Sequence, residues 1–267
     1  MLAILALLVA GTHCPVYAAD DAGQGEKALT HACAGRSSGF TEDVKCYVTA
    51  PLRWDGQDWL YFGGAVAAAG LAHHYDSDVR SHFVEASGGS VDSSSSDLED
   101  ALPAAGMLAA TWLVATVSKD RDGRQESWMM LEAAGFSVTT SYLLKYAAGR
   151  ERPDVTDDPD QWRSGGDAFP SMHTTAAFAI GTVFAEAGND KYRWIRRVVG
   201  YGLAGYTGYA RLKHNAHWLS DTVAGAEIGM ATARFVLNRQ YGHAGGGQFT
   251  WIPLDRGMMV TYNVILP

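Results

Sequence analysis

The chain has 267 residues, with 21 Lys and Arg against 29 Asp and Glu for a formal net charge of −8, and 47% of it is apolar; that is one globular domain, or two. A net acidic chain with no Lys/Arg run and no zinc-type Cys/His spacing lacks the electrostatic footprint of a nucleic-acid partner. With 30 Gly, 8 Pro and 19% charged residues, and a mean hydropathy of −0.09, it is too apolar for disorder and too polar for a bundle of long membrane spans.

Residues 1–10, MLAILALLVA, precede a small-residue site ending at Ala18, which has the shape of a secretory signal peptide over residues 1–18 although the usual early positive charge is missing. His13 beside Cys14 does not suit a lipoprotein signal. Cleavage near Ala18 removes Cys14 and leaves the pair Cys33 and Cys46, either a disulfide of an oxidising compartment or two buried thiols. Residues 19–51 show no sustained period and are expected to be an irregular lead-in. A helical domain is expected over residues 52–243. Residues 54–74 carry an apolar stretch of helical length, and residues 86–96 read as an exposed loop with Asp97 able to cap a helix from about Leu98. Residues 119–125 read as a charged turn centred on Asp122 and Gly123; the calcium-loop fragment there lacks its further ligands.

Four more helical stretches are expected at about residues 128–148, 171–187, 192–209 and 216–238. Gly181, Gly200, Gly202, Gly205, Gly208, Gly225 and Gly229 recur through the last three. Each costs about 1 kcal/mol of helix propensity relative to Ala, which points to close helix approach. Arg193, Arg196 and Arg197 beside Lys191 suit a solvated or interfacial face. After three glycines, residues 244–267 read as a small β-hairpin around Asp255, Arg256 and Gly257.

Three clusters carry chemistry. Lys145 and Arg152 are seven apart, but Gly149 and the restriction that Pro153 places on its predecessor end the helix between them, so Arg152 can fold back toward Lys145. Two converging long cations suit a doubly charged oxyanion. Pro170, Ser171, Met172 and His173 open a helix, whose first N–H groups make an anion site, while Ser171 is also a candidate cap of its own helix. Asp221 lies four residues after His217, one face of a helix, where the carboxylate can hold one ring nitrogen and leave the other a lone pair. Asn215 as a cap would break the chain between Arg211 and His217 so that both face one site; His214 reads as a turn residue.

The joined order Lys-x6-Arg-Pro, Pro-Ser-x-His, Arg-x5-His-x3-Asp, from Lys145 to Asp221, resembles the signature of the type 2 phosphatidic acid phosphatase superfamily, which includes bacterial acid phosphatases and vanadium haloperoxidases. The resemblance implies an all-α helical bundle of that type. It also implies Lys145, Arg152, Arg211, Ser171 and the Met172 amide as phosphate ligands, and a phosphohistidine on His217. Asp221 would orient that ring, and His173 would serve as acid and then base. No metal or other cofactor is implied, and vanadate enters as an inhibitor or, in a haloperoxidase, as the prosthetic group. Two positions depart from the pattern: Met172 stands for the usual Gly and narrows the pocket mouth, and Ala210 for the usual Ser.

The expectation is a metal-independent, periplasmic or secreted phosphatase of phosphate monoesters or lipid phosphates, with a peripheral membrane contact left open. Vanadium haloperoxidase is the enzyme alternative, and a silent anion or lipid-headgroup binder the other. The acidic loop carrying Asp154, Asp157, Asp158 and Asp160 is expected to disfavour highly anionic substrates.

Overall fold

The computed structural model describes Cys33 and residues 39–86, 96–187, 192–241, 248–254 and 257–263. The expected signal peptide and the loop at residues 87–95 lie outside the described residues. Among them the protein is all-α apart from a C-terminal hairpin. The helices are α1 (Phe40–Val48), α2 (Gly56–His74), α3 (Asp76–Ala86), α4 (Ser96–Val117), α5 (Arg121–Ala148), α6 (Met172–Glu186), α7 (Arg193–Lys213) and α8 (Leu219–Tyr241), with a 3₁₀ turn at Ala50–Arg53. Strands β1 (Gln248–Leu254) and β2 (Gly257–Asn263) pair antiparallel, Gln248 opposite Asn263, as the sequence leads one to expect.

Helix α6 is the central element, packed against α5, α7 and α8. Its residues are small because the approach is close. A Cβ on Gly200 of α7 would stand 2.6 Å from the Gly181 carbonyl oxygen, and one on Gly229 of α8 would stand 2.3 Å from the Thr175 carbonyl oxygen. Gly202 and Gly205, expected in the same seam, meet nothing within 4 Å. The core joins Met129 and Met130 of α5, Ile180 and Val183 of α6, Ala204 of α7, and Phe235 and Val236 of α8.

Three segments differ from the sequence reading. Residues 40–48 of the lead-in are helical. Helix α1 is held by a Cys33–Cys46 disulfide, a buried Arg239–Asp43 ion pair at 2.8 Å, and the Tyr47 hydroxyl, 3.0 Å from Thr140 Oγ1 and 3.1 Å from Thr232 Oγ1. Nine residues are too short to show a period, and tertiary contacts stabilise what propensity alone would leave marginal. Residues 121–125 are the first turn of α5 rather than a loop, because Asp120 caps it by accepting from Asp122 N–H at 3.0 Å. Gly123 serves packing there, since a Cβ would stand 2.8 Å from Ala115 Cβ. Helix α4 starts at Ser96, so Asp97 lies within it instead of capping it.

Candidate active site

Helix α5 ends at Gly149, whose left-handed φ of 56° and N–H to the Lys145 carbonyl close the last turn. Lys145 therefore points out of a helix end, where its ammonium, 8% exposed as a residue, donates to the Asp167 carbonyl oxygen and to that of Ala168 at 3.4 Å. Burial is the main reason its pKa falls to about 8. The chain then turns back on itself: Ala168 N–H donates to the Arg150 carbonyl at 2.8 Å. Arg152 grips both oxygens of Asp167, Nε to Oδ1 at 2.7 Å and Nη2 to Oδ2 at 2.9 Å. Arg152 sits beside Lys145, as the helix break requires, since the two cations repel each other's charge.

Ser171 precedes the first turn of α6 but makes no side-chain cap. Its fully buried hydroxyl instead accepts from Thr174 Oγ1 at 3.0 Å, so the capping alternative does not hold. Its backbone N–H donates to the Asp221 carbonyl at 3.0 Å, which fixes the start of α6 against the start of α8. Close packing secures that contact, because a Cβ at Gly225 would lie 2.7 Å from the Ser171 carbonyl oxygen. Met172, His173 and Thr174 then supply the first-turn N–H groups that an α-helix leaves without internal partners.

His217 is not on a helix. It lies in the turn before α8, which begins at Leu219. Asn215 does not cap that helix either: its backbone is left-handed, φ 52°, and its amide donates to the Pro153 carbonyl at 3.0 Å. The histidine and Asp221 nevertheless meet, Nδ1 to Oδ2 at 3.5 Å, because Asp221 folds back to accept from Trp218 N–H at 2.8 Å. At that distance His217 Nδ1 makes no hydrogen bond and is buried without a partner. His217 is 3% exposed. Burial first, then the charges of Lys145, Arg211, Arg152 and His173, hold its pKa well below the ordinary value. It is thus a neutral imidazole ringed by cations. Arg211, fully buried at the end of α7, reaches the same place with Nη1 bound to Asp100 Oδ2 at 2.8 Å.

The structure brings Lys145, Arg152, His173, Arg211 and Asp221 around His217, with Ser171 tied to Asp221 through its backbone N–H. What the motifs did not include is the layer of acids behind it. Asp100 of α4 holds Arg211 and also lies 3.2 Å from His214 Nδ1, so His214 is more than a turn residue. Asp167 holds Arg152. Arg150, in the gap between Lys145 and Arg152, is fully buried and contacts Asp221. A lone Asp on an unassigned segment carries no motif, but Arg150 was visible as a third cation within six residues of Lys145. The acidic loop is spent largely on strapping: Asp157 pairs with Arg80 of α3 at 2.6 Å and Asp160 with His73 of α2 at 2.9 Å.

A family model described as PAP2 superfamily matches residues 126–243, the stretch from α5 to the end of α8. A lipid A 1-phosphatase of Porphyromonas gingivalis is 34% identical over 113 residues, which is 40% of this chain and 23% of that protein's own length. The match thus takes in less than a quarter of that relative. No solved structure matches.

Proposed function

We propose that the chain, whose residues 126–243 match the PAP2 superfamily model, is a phosphatase of lipid phosphates that works through a phosphohistidine on His217. The observation that carries the reading is the buried, neutral His217 facing Lys145, Arg152, Arg211 and the start of α6. The three cations neutralise the phosphate oxygens, and Ser171 with the Met172 N–H adds donors for charge that grows in the transition state. His217 Nε2 attacks phosphorus, forming the P–N bond as the P–O bond to the leaving group breaks; His173 gives that oxygen its proton. His173 then takes a proton from water, whose oxygen attacks phosphorus and releases phosphate and free imidazole. Asp221 keeps the Nδ1–H in place throughout. Lys145, Arg152 and Arg211 do the charge-neutralising work that a magnesium ion does in other phosphoryl-transfer sites.

A lipid substrate is favoured by the outer surface. Trp112, Trp128, Tyr142, Tyr146, Trp194 and Tyr206 are all exposed, Tyr146 by 91% beside Lys145. Helix α4 carries a 20-residue stretch, Leu98–Val117, apolar and long enough to cross a membrane and for the most part not buried. A long apolar helix left mostly unburied, with exposed aromatic side chains, is compatible with contact to a bilayer surface. The similar protein's description as a lipid A 1-phosphatase supports the same substrate class. The Cys33–Cys46 disulfide supports a periplasmic or secreted location.

The test is phosphate release in EDTA from a lipid phosphate in mixed micelles and from a soluble phosphate ester, by the protein and by His217→Ala. Release by the protein and none by the variant is expected, with the lipid preferred. Equal release by both overturns the mechanism, and preference for the soluble ester overturns the lipid assignment.

A further inference from the structure

Behind the cage, Arg150 lies between two carboxylates that are both fully buried. Its Nη1 donates to Asp221 Oδ1 at 2.6 Å and to Ser220 Oγ at 2.8 Å, and its Nη2 donates to Asp76 Oδ2 at 2.6 Å. Both Nε and Nη2 also reach the Pro159 carbonyl, at 3.0 and 2.8 Å. The guanidinium is flanked by Trp162, 4.5 Å from its ring centroid, and by Trp218 at 5.4 Å. Asp76, the first residue of α3, in turn accepts from Ser220 N–H at 2.8 Å and Ser220 Oγ at 2.7 Å, at the start of α8. His73 of α2 places Nδ1 2.9 Å from Asp76 Oδ2 and Nε2 2.9 Å from Asp160 Oδ1. A continuous set of polar contacts therefore runs from the surface carboxylate Asp160 to the carboxylate beside His217.

We propose that Arg150, clamped by Asp76, is a positioning residue for the phosphoryl-transfer step: it fixes the Asp221 carboxylate beside His217 and favours its charged form, without touching substrate. The inference rests on the phosphatase reading of the site. A buried carboxylate with no cation beside it would take up a proton. Arg150 supplies that cation in a geometry that a lysine cannot copy, since one planar fork engages two acids and a hydroxyl at once. Of the two acids, Asp221 belongs to the residues 126–243 that match the family model, whereas Asp76 comes from α3, outside it. The clamp therefore joins α3 to the stretch that runs from α5 to α8. Other charges facing Asp221 are Lys145 of α5 and His217 itself; Asp76 and His73 reach it through Arg150.

The arrangement makes two substitutions act in opposite directions on one observable. Burial raises the Asp221 pKa above the ordinary carboxylate value, and Arg150 is the largest of the influences that hold it down. Arg150→Met removes the cation, so the acid limb of the kcat/KM profile moves to higher pH, and kcat falls about 10- to 100-fold, the usual cost of losing such a supporting contact. Arg150→Lys keeps the charge and recovers part of both. Asp76→Asn keeps an acceptor for Ser220 but removes a competing negative charge, so the acid limb moves to lower pH.

The experiment is the kcat/KM profile of the full chain and these three variants on one lipid phosphate, alongside inhibition by vanadate, which the intact Lys145, Arg152 and Arg211 should hold within about threefold of the wild-type value. Opposite shifts with vanadate inhibition retained are the expected result. Unshifted limbs, shifts of the same sign, or equal loss of kcat and vanadate inhibition overturn the proposal. If Arg150→Met does not fold, the signs for Arg150→Lys and Asp76→Asn decide. His217→Ala runs beside them, so that a wild type no more active than His217→Ala reports failure of the phosphatase reading rather than of the clamp.

Discussion

Lys145 shows how the site sets the charge of its own ligands. Buried at the end of α5, it loses hydration that an ammonium needs, and its pKa falls to about 8 even though Asp167 and Asp221 work to raise it. The charge that would bind phosphate in the proposed mechanism is present below that pH and is lost above it. The free enzyme's kcat/KM should therefore decline as pH rises through about 8, and Lys145→Arg should move that decline beyond the measurable range, because a guanidinium stays charged. A profile flat from pH 7 to 10 for the wild type would contradict this. His217 lies on the other side of the argument. Burial and the surrounding cations hold its pKa well below the ordinary imidazole value, which favours the neutral ring that the proposed mechanism needs. Met172 keeps the backbone N–H that the family's glycine would offer, since it begins α6 as an ordinary helical residue. Ala210 is buried next to Arg211, and nothing in the structure explains why it replaces a serine.

At the scale of elements, the glycines divide by what faces them. A Cβ at Gly229 would come within 2.3 Å of the Thr175 carbonyl and 2.8 Å of Ala179 N; both are backbone and cannot give way. Gly229→Ala should force α6 and α8 apart and destabilise the fold by about 1–3 kcal/mol, and since α6 carries Ser171 and His173, activity should fall with it. Gly64 in α2 is exposed and meets nothing within 4 Å. Gly64→Ala should stabilise by about 0.5–1 kcal/mol through helix propensity alone. Thermal unfolding of the two variants checks the pair, and like signs would count against the seam. Helical periodicity made α2, α6, α7 and α8 legible in the sequence to within a few residues, but it missed α1 and α3. Both are short, and α3 is mostly polar, DSDVRSHFVEA. Their helicity comes from what they dock against, which no local pattern records.

The whole molecule is tied at two ends that serve different purposes. At the far end of α8 from Asp221, the Cys33–Cys46 disulfide, Tyr47 and the Arg239–Asp43 pair fasten the N-terminal segment to the bundle. The disulfide closes a span of 13 residues, so reducing it should cost about 3 kcal/mol in the chain-entropy model. The melting temperature should drop under reductant while phosphate release per folded molecule stays unchanged, since none of the cage residues lies on that segment; equal loss of both would show that the two ends are coupled. The residues that the structure gathers at this place could be picked out before any fold was known. Lys145, Arg152, Ser171, His173, Arg211, His217 and Asp221 have unusual chemistry at local spacings, and a turn signal such as Gly149 is written in the residues beside it. The acids Asp76, Asp100 and Asp167, and the part played by Arg150, could not be read that way. Asp76 stands 144 positions from Ser220, which it holds, and Asp100 stands 111 from Arg211. Such pairs leave no periodicity and no motif, because a single carboxylate becomes meaningful only when folding strips its water and places a cation beside it.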